Sequence, residues 1–207
     1  MRGKFITFEG ADGSGKTTQI EMIKKYLEGK GYECLLTREP GGSNLGNKIR
    51  EILLHYDGEV DSLCELLLYM ADRAQHVNTV IRPALERGQI VLCDRYTDSS
   101  VAYQGYARGL DVERIIKLNK IATENLDPDL TVVFDVETET AIKRVGEIKD
   151  RLEQEGIEFH KKLRCGYLEL AKRFPERIKV VNANLSIEEV FSQVINALED
   201  SMKIVCN

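Results

Sequence analysis

No stretch of this 207-residue sequence approaches the ~20 consecutive apolar residues that a membrane-spanning helix needs. Met1-Arg2-Gly3-Lys4 runs straight into a short apolar strand-like segment, which is not the pattern of a secretory signal. Both absences point to a cytoplasmic protein with no membrane partner. Cysteine is sparse: Cys34, Cys64, Cys93, Cys165 and Cys206 are scattered, odd in number and never spaced as C-x-x-C, which argues against a disulfide framework or a zinc site. The first four are expected as small core residues and Cys206 as an exposed thiol. Excess positive charge is missing too. With 29 basic against 34 acidic residues and a net charge of −5, nothing attracts a polyanion non-specifically, so nucleic acid is not an expected partner. Finally, no internal repeat, low-complexity tract or Pro/Ser-rich linker offers a place to divide the chain, and residues 1–207 read as a single domain.

What is present suits a packed globular fold: 43% hydrophobic and 30% charged residues. Short apolar runs rich in branched and aromatic residues at 5–8, 32–36, 90–93, 130–135 and 178–181 read as buried strands. Segments with helical spacing lie between them, at 17–29, 45–54, 62–87, 99–107, 112–126, 137–145, 158–174 and 187–203, the third read as two helices meeting near Asn78. Strands separated by helices require right-handed crossovers, and so an α/β fold with a parallel five-stranded sheet covered by helices on both faces. The segment 143–156, KRVGEIKDRLEQEG, is densely charged and poor in buried-type residues; it reads either as a solvated helix face or as an inserted lid. The terminal MKIVCN reads as a short extra strand or a frayed tail.

Gly10-Ala11-Asp12-Gly13-Ser14-Gly15-Lys16-Thr17 matches G-x-x-x-x-G-K-[ST] and sits between the strand FITF and the helix TTQIEMIKKYL, where that motif must sit. A chance match at four fixed positions in a chain this long is roughly a one-in-a-hundred event, before the strand and helix requirement lowers it further. Glycines let backbone N–H groups turn inward around phosphates, and the following helix N-terminus adds positive potential. Lys16 is expected on the β- and γ-phosphates, and the Thr17 hydroxyl on Mg²⁺. The run Ile90-Val91-Leu92-Cys93 ends in Asp94, a candidate to hold the metal or its water shell, and Glu9 precedes the loop.

The loop predicts a nucleoside triphosphate but not what receives the phosphate. A GTPase base reader would be Asn-Lys-x-Asp; Asn119-Lys120-Ile121-Ala122 lacks the Asp. Beyond Asp94, the run Arg95-Tyr96-Thr97-Asp98-Ser99-Ser100-Val101-Ala102-Tyr103-Gln104-Gly105 places a guanidinium, hydroxyls and an amide at the carboxyl end of a strand, the edge where ligands bind in open parallel sheets. An Arg there can grip a phosphate bidentately.

In FEGADGSGKTTQ (8–19), REPGGS (38–43), ADRAQH (71–76), DRYTDSSVAYQG (94–105), PDLTVVFDV (128–136) and DRLEQEGIEFH (150–160), the sequence resembles the bacterial and archaeal thymidylate kinases. These P-loop enzymes phosphorylate dTMP to dTDP. The resemblance covers nearly the whole chain and implies ATP as donor, Mg²⁺ as cofactor and a homodimer. It implies that residues 10–17 with Thr18 bind ATP, that Lys16, Glu9 and Arg95 serve the transfer, and that Asp94 and Thr17 serve the metal. On the acceptor side it implies a wall at Arg38 or Glu39 with the turn at Pro40-Gly41-Gly42, Arg50 on the dTMP phosphate, and Arg73 and Gln104 on thymine. Tyr69 would stack on the base, and Ser100 and Tyr103 would lie by the deoxyribose. Members of the family with Gly at position 13 draw positive charge from a lid, which here makes Arg144, Lys149 and above all Arg151 the candidate lid cations, with Arg144 alternatively stacking on adenine. A kinase for another pyrimidine monophosphate, or a nucleotide-driven ATPase switch, remains as the alternative reading.

Overall fold

The computed structural model describes residues 2–145 and 151–202. Five parallel strands, β1 (Phe5–Glu9), β2 (Cys34–Arg38), β3 (Ile90–Asp94), β4 (Leu130–Asp135) and β5 (Ile178–Asn182), form one sheet in the order β2-β3-β1-β4-β5. Around it lie α1 (Lys16–Gly29), α2 (Asn44–His55), α3 (Ser62–His76), α4 (Arg82–Glu86), α5 (Thr97–Ser100), α6 (Val112–Thr123), α7 (Thr138–Arg144), α8 (Ile157–Arg173) and α9 (Ile187–Met202). This is the expected α/β sandwich.

Alternation along the central strands sends side chains to two cores. Ile6, Phe8, Leu92, Val132 and Phe134 pack with Ile20, Ile23 and Leu27 of α1 and with Val190, Val194 and Leu198 of α9. Phe5, Val91 and Cys93 point the other way, onto Val77, Ile81 and Leu85, while Val133 joins Leu66, Ile115 and Leu163 from α3, α6 and α8. A strand buried on both faces reads as a continuous apolar run, which is why β1, β3 and β4 stand out in the sequence.

Three expectations need correction. β2 begins at Cys34, not at residue 32: the chain turns at Gly31, with φ 87°, Tyr32 and Glu33 stay exposed, and parallel pairing starts with Cys34 opposite Ile90. The helical stretch 62–87 does not break near Asn78. It widens into a π-helical turn at Val77–Ile81, and Asn78 sits inside it. Pro83 follows immediately; it has no N–H to donate, and its ring crowds the carbonyl four residues back, so a widened turn relieves a clash that would otherwise kink the helix. Of the cysteines, Cys93 is buried and Cys34 half-buried, but Cys64 and Cys165 are exposed on helices whose inward faces are carried by other residues. Cys206, Lys149 and residues 203–207 lie outside the described residues.

Parallel strands put their carboxyl ends on one edge. There β1 ends in Glu9, β3 in Asp94 and β4 in Asp135. The glycine loop follows β1, with Gly13 at φ 77° and Gly15 at φ 86°, in the left-handed region that favours glycine. A Cβ on Gly13 would come within 2.3 Å of the Ala141 carbonyl oxygen, so α7 rests directly on the loop.

The α1 packing is testable: Leu27→Ala, at a wholly buried position, should cost about 2–5 kcal/mol in urea unfolding. A cost under ~1 kcal/mol would mean that α1 is not anchored by this core.

Candidate active site

Lys16 lies at the first position of α1, buried, with Nζ donating to the carbonyls of Gly10 and Ala11 at 3.0 and 2.9 Å. Burial and the Arg95 charge push its pKa down. Thr17 and Thr18 are exposed on the next positions of the helix. Ser14 Oγ is buried without a hydrogen-bond partner, as is Asp94 Oδ1. Thr17 and Asp94 border the same groove on the β2 side of the loop, together with Thr37, Arg38 and Asn47.

Arg95 adopts φ 68°, a left-handed conformation uncommon for a residue with a side chain. Two bonds hold it there: its own N–H donates to Phe8 O at 2.9 Å, and the next amide, Tyr96 N–H, donates to Glu9 Oε1 at 2.8 Å. Such strain costs on the order of 1–3 kcal/mol and persists where surrounding contacts over-determine it. The result aims the guanidinium back at the glycine loop, where Nη1 donates to Gly10 O at 2.8 Å and Nη2 to Asp12 Oδ1 at 2.6 Å. Asp12 also accepts from the Tyr103 hydroxyl at 3.2 Å. Burial would raise the Asp12 pKa, but Arg95 and Lys16 outweigh it and hold the carboxyl well below the usual range.

Glu9 lies beneath this layer, wholly buried, accepting from Ser99 Oγ at 2.5 Å and from the Tyr167 hydroxyl at 3.1 Å. Burial and the neighbouring Asp98 carboxylate push its pKa up to about 7, against the bond from Ser99 and the Arg95 charge.

All nine residues expected on the acceptor side, Glu39, Pro40, Arg50, Tyr69, Arg73, Arg95, Ser100, Tyr103 and Gln104, line one cavity, joined by Asp12, Leu54, Ser99 and Leu152. Its far wall is built on a buried pair. Arg73 Nε donates to Glu39 Oε2 at 2.7 Å, Nη1 donates to Ser100 Oγ and Asn119 Oδ1 at 2.9 and 2.5 Å, and Nη2 donates to Tyr96 O at 2.8 Å. These bonds take four of its five N–H donors, so the expectation that Arg73 meets a base narrows to a single remaining N–H on Nη2. Burial would raise the Glu39 pKa, but Arg73 and His76 outweigh it and keep the carboxyl low. Beside it, burial and the Glu39 charge push Asp72 up to about 7. Arg50 Nη1 donates to Pro40 O at 2.9 Å.

The lid candidates separate. Arg144 closes α7 and donates to Ala183 O at 3.1 Å, beyond β5. Arg151 rests on the acceptor side, with Nε on Leu53 O at 3.0 Å and Nη2 on Glu65 Oε2 at 2.5 Å. Neither guanidinium bonds to the glycine loop among the described contacts. Leu152 borders the acceptor cavity, while Glu153 borders a second cavity on the far side of the loop, between the end of β4, α7 and α8.

Sequence reasoning did not single out Glu65, Asp72, His76, Asn119 or Tyr167. Three of them share a signal: Glu65, Asp72 and His76 fall, with Arg73, at helical spacing on one face of α3 along with Leu66 and Met70, and charges at apolar-stripe positions must be paired. Asn119 and Tyr167 carry no such signal.

The thymidylate kinase family model matches residues 8–194. The chain belongs to the thymidylate kinase family. It is 50% identical over 204 residues to a thymidylate kinase from Caldanaerobacter subterraneus subsp. tengcongensis, covering 98% of each chain. It is 44% identical over 198 residues to one from Clostridium novyi, covering 93% of this chain and 97% of that one. The crystal structure of thymidylate kinase from Ehrlichia chaffeensis superposes with a TM-score of 0.80 at 37% identity, covering 96% of this chain and 99% of that one.

The raised Glu9 pKa sets a pH dependence. Unfolded, its carboxyl loses a proton near 4.5; native, it holds one to about 7. Between these values the native state binds more protons, so stability falls as pH rises through the window and levels above it. Asp72 contributes in the same direction, between 3.8 and about 7. Glu9→Gln should flatten part of the Tm decline between pH 5 and 7, leaving the Asp72 share; an unchanged slope would contradict the assignment.

Proposed function

We propose that this protein transfers the γ-phosphate of ATP to dTMP, giving dTDP for dTTP synthesis, with residues 10–18 holding the donor and the cavity under Arg95 holding the acceptor. One observation carries the reading: the nine acceptor-side residues line a single cavity that includes Arg95 and Asp12, and those two join it to the glycine loop. A nucleotide-driven ATPase switch would have no use for that cavity.

Phosphoryl transfer is catalysed mainly by positioning and charge stabilisation. An anionic oxygen of the dTMP phosphate attacks the γ-phosphorus, the bond to the bridging oxygen of the leaving diphosphate breaks, and no general base is required because the attacking oxygen carries no proton near neutral pH. Loop amides and Lys16 neutralise the donor phosphates, and Lys16 turns from the Gly10 and Ala11 carbonyls toward them. Arg95, with Arg50, grips the acceptor phosphate. Tyr69 stacks on the base, Gln104 and Arg73 address its edge, and Ser100 and Tyr103 flank the deoxyribose. Glu39 and Pro40 form the wall. Arg144, at the end of α7 beside Ala183, suits the adenine end. We assign the lid to 143–156 of a single domain and Arg151 to the transferring phosphate, a role that requires it to leave Glu65.

Asp94 Oδ1, buried and unpartnered, and the exposed Thr17 hydroxyl fit Mg²⁺, which binds through few protein oxygens together with substrate phosphates. Bound there, the ion would supply charge neutralisation on the phosphates. The absence of a three-ligand acidic or histidine cluster among the described residues agrees with that mode and not with an all-protein cage.

Leu63 and Leu67, one turn apart on α3, are 44% and 49% exposed, and we assign this face to a homodimer contact. Leu67→Glu should convert a dimer into a monomer in light scattering; an unchanged mass would place the interface elsewhere. No helix among the described residues is long and apolar enough to cross a membrane, and a cytoplasmic location suits the activity.

ADP release measured with Mg-ATP against dTMP, dUMP, UMP, CMP, AMP and no acceptor tests the reading. Strong turnover is expected with dTMP and little with the ribonucleotides, whereas equal turnover without any acceptor would refute it. Arg95→Ala should lower kcat on the order of 10³-fold.

A further inference from the structure

We propose that Glu65 is a positioning residue for base selection, fixing the side-chain amide of Gln104 so that its carbonyl oxygen is offered to the base as an acceptor. This rests on the reading of the adjoining cavity as the dTMP site.

Glu65 is wholly buried on α3. Its Oε1 accepts from Gln104 Nε2 at 2.8 Å, and its Oε2 accepts from Arg151 Nη2 at 2.5 Å and Arg108 Nη2 at 3.4 Å. Arg108 is braced in turn by Glu155 at 2.5 Å. Arg108 pairs with Glu65 and stays when Arg151 leaves, so the Glu65 oxygens that face Gln104 serve as acceptors. An amide that faces them can bond only through its amine; the flipped amide would set two acceptors against each other. Gln104 is 1% exposed and borders the cavity, so with Nε2 turned to Glu65 its Oε1 faces away from that carboxylate and is the acceptor it offers a ligand.

The polarity of that edge then follows. Arg73 retains one N–H donor in the same cavity. A donor beside an acceptor complements a 4-oxo pyrimidine, whose O4 accepts and whose N3–H donates. A 4-amino pyrimidine presents the reverse, an amine facing the Arg73 donor and an unprotonated N3 facing the Gln104 oxygen. A site built from fixed polar groups rejects such a mismatch far more strongly than an apolar pocket rejects a change of size. Glu65 touches no substrate in this scheme; it removes the freedom of Gln104 to turn over and accept the wrong base.

Steady-state kinetics of the wild type and Glu65→Gln on dTMP, dUMP and dCMP provide the test. Gln at this position can offer either end of its own amide, so Gln104 is released to flip. The expected result is a fall of at least about tenfold in the dTMP-to-dCMP ratio of kcat/KM, expressed mainly as a raised KM for dTMP with kcat largely kept. A folded variant with an unchanged ratio overturns the proposal. A wild type that does not prefer dTMP to dCMP would instead overturn the dTMP reading on which it rests. Should Glu65→Gln fail to fold, NMR of the wild type decides: the Gln104 side-chain NH₂ signal, identified by its loss in Gln104→Met, should keep its shift when dTMP labelled with ¹⁵N at N3 binds, while the imino proton of the ligand becomes protected from exchange. A shifted amide signal without a protected imino proton overturns the proposal.

Discussion

The ion pair of Glu39 with Arg73, about 1% exposed on both sides, is the constraint from which the cavity beside Arg95 is built. Arg73 belongs to α3, Glu39 follows β2, Ser100 closes α5, Asn119 lies on α6, and the Tyr96 carbonyl follows β3. A guanidinium so deeply buried is tolerable only if its donors find acceptors. Five segments must therefore arrive at fixed relative positions before the charge can be accommodated. The pair is weak evidence for net stability, since an apolar replacement of equal volume often does as well. Its value is geometric: it fixes the relative placement of the residues that form one wall of the cavity.

The donor half is organised by a second buried acid. Glu9 gathers the amide of Tyr96, the hydroxyl of Ser99 and the hydroxyl of Tyr167, and so ties the ends of β1 and β3 to α5 and α8. Arg95 is pinned above it in a left-handed backbone conformation, facing the loop on one side and the acceptor cavity on the other. Arg95 is thus shared by the glycine loop and the cavity that Glu39 and Arg73 line.

The fold and the glycine loop were legible because their signals are local. Apolar runs mark β1, β3 and β4, and the spacing of glycines before Lys16-Thr17 marks the loop within a single strand–turn–helix unit. The residues expected on the acceptor side came from family resemblance, and the structure brings all nine to one cavity. What composition and spacing do not reveal is pairing across the chain. Glu65 and Gln104 are 39 residues apart, and Glu9 and Tyr167 are 158 apart. No periodicity encodes such partners, because a buried charge announces only that it needs one. The errors have the same origin: Cys64 and Cys165 are of a type common in cores, but which face of a helix turns inward is decided by its neighbours. Edge strand β2, held on one side only, gives the weakest boundary signal.

The contact between Gly13 and α7 bears on how this scaffold can be altered. An arginine grafted at position 13 would have to pass its Cβ within 2.3 Å of the Ala141 carbonyl oxygen and adopt φ near 77°, so it could be housed only by lifting α7 off the loop. Arg144 closes α7, so lifting the helix would also pull its guanidinium from the Ala183 carbonyl. An arginine at position 13 and the present seating of α7 are therefore mutually exclusive in this molecule, and exchanging one for the other is a rebuilding of a helix contact, beyond the reach of a point substitution.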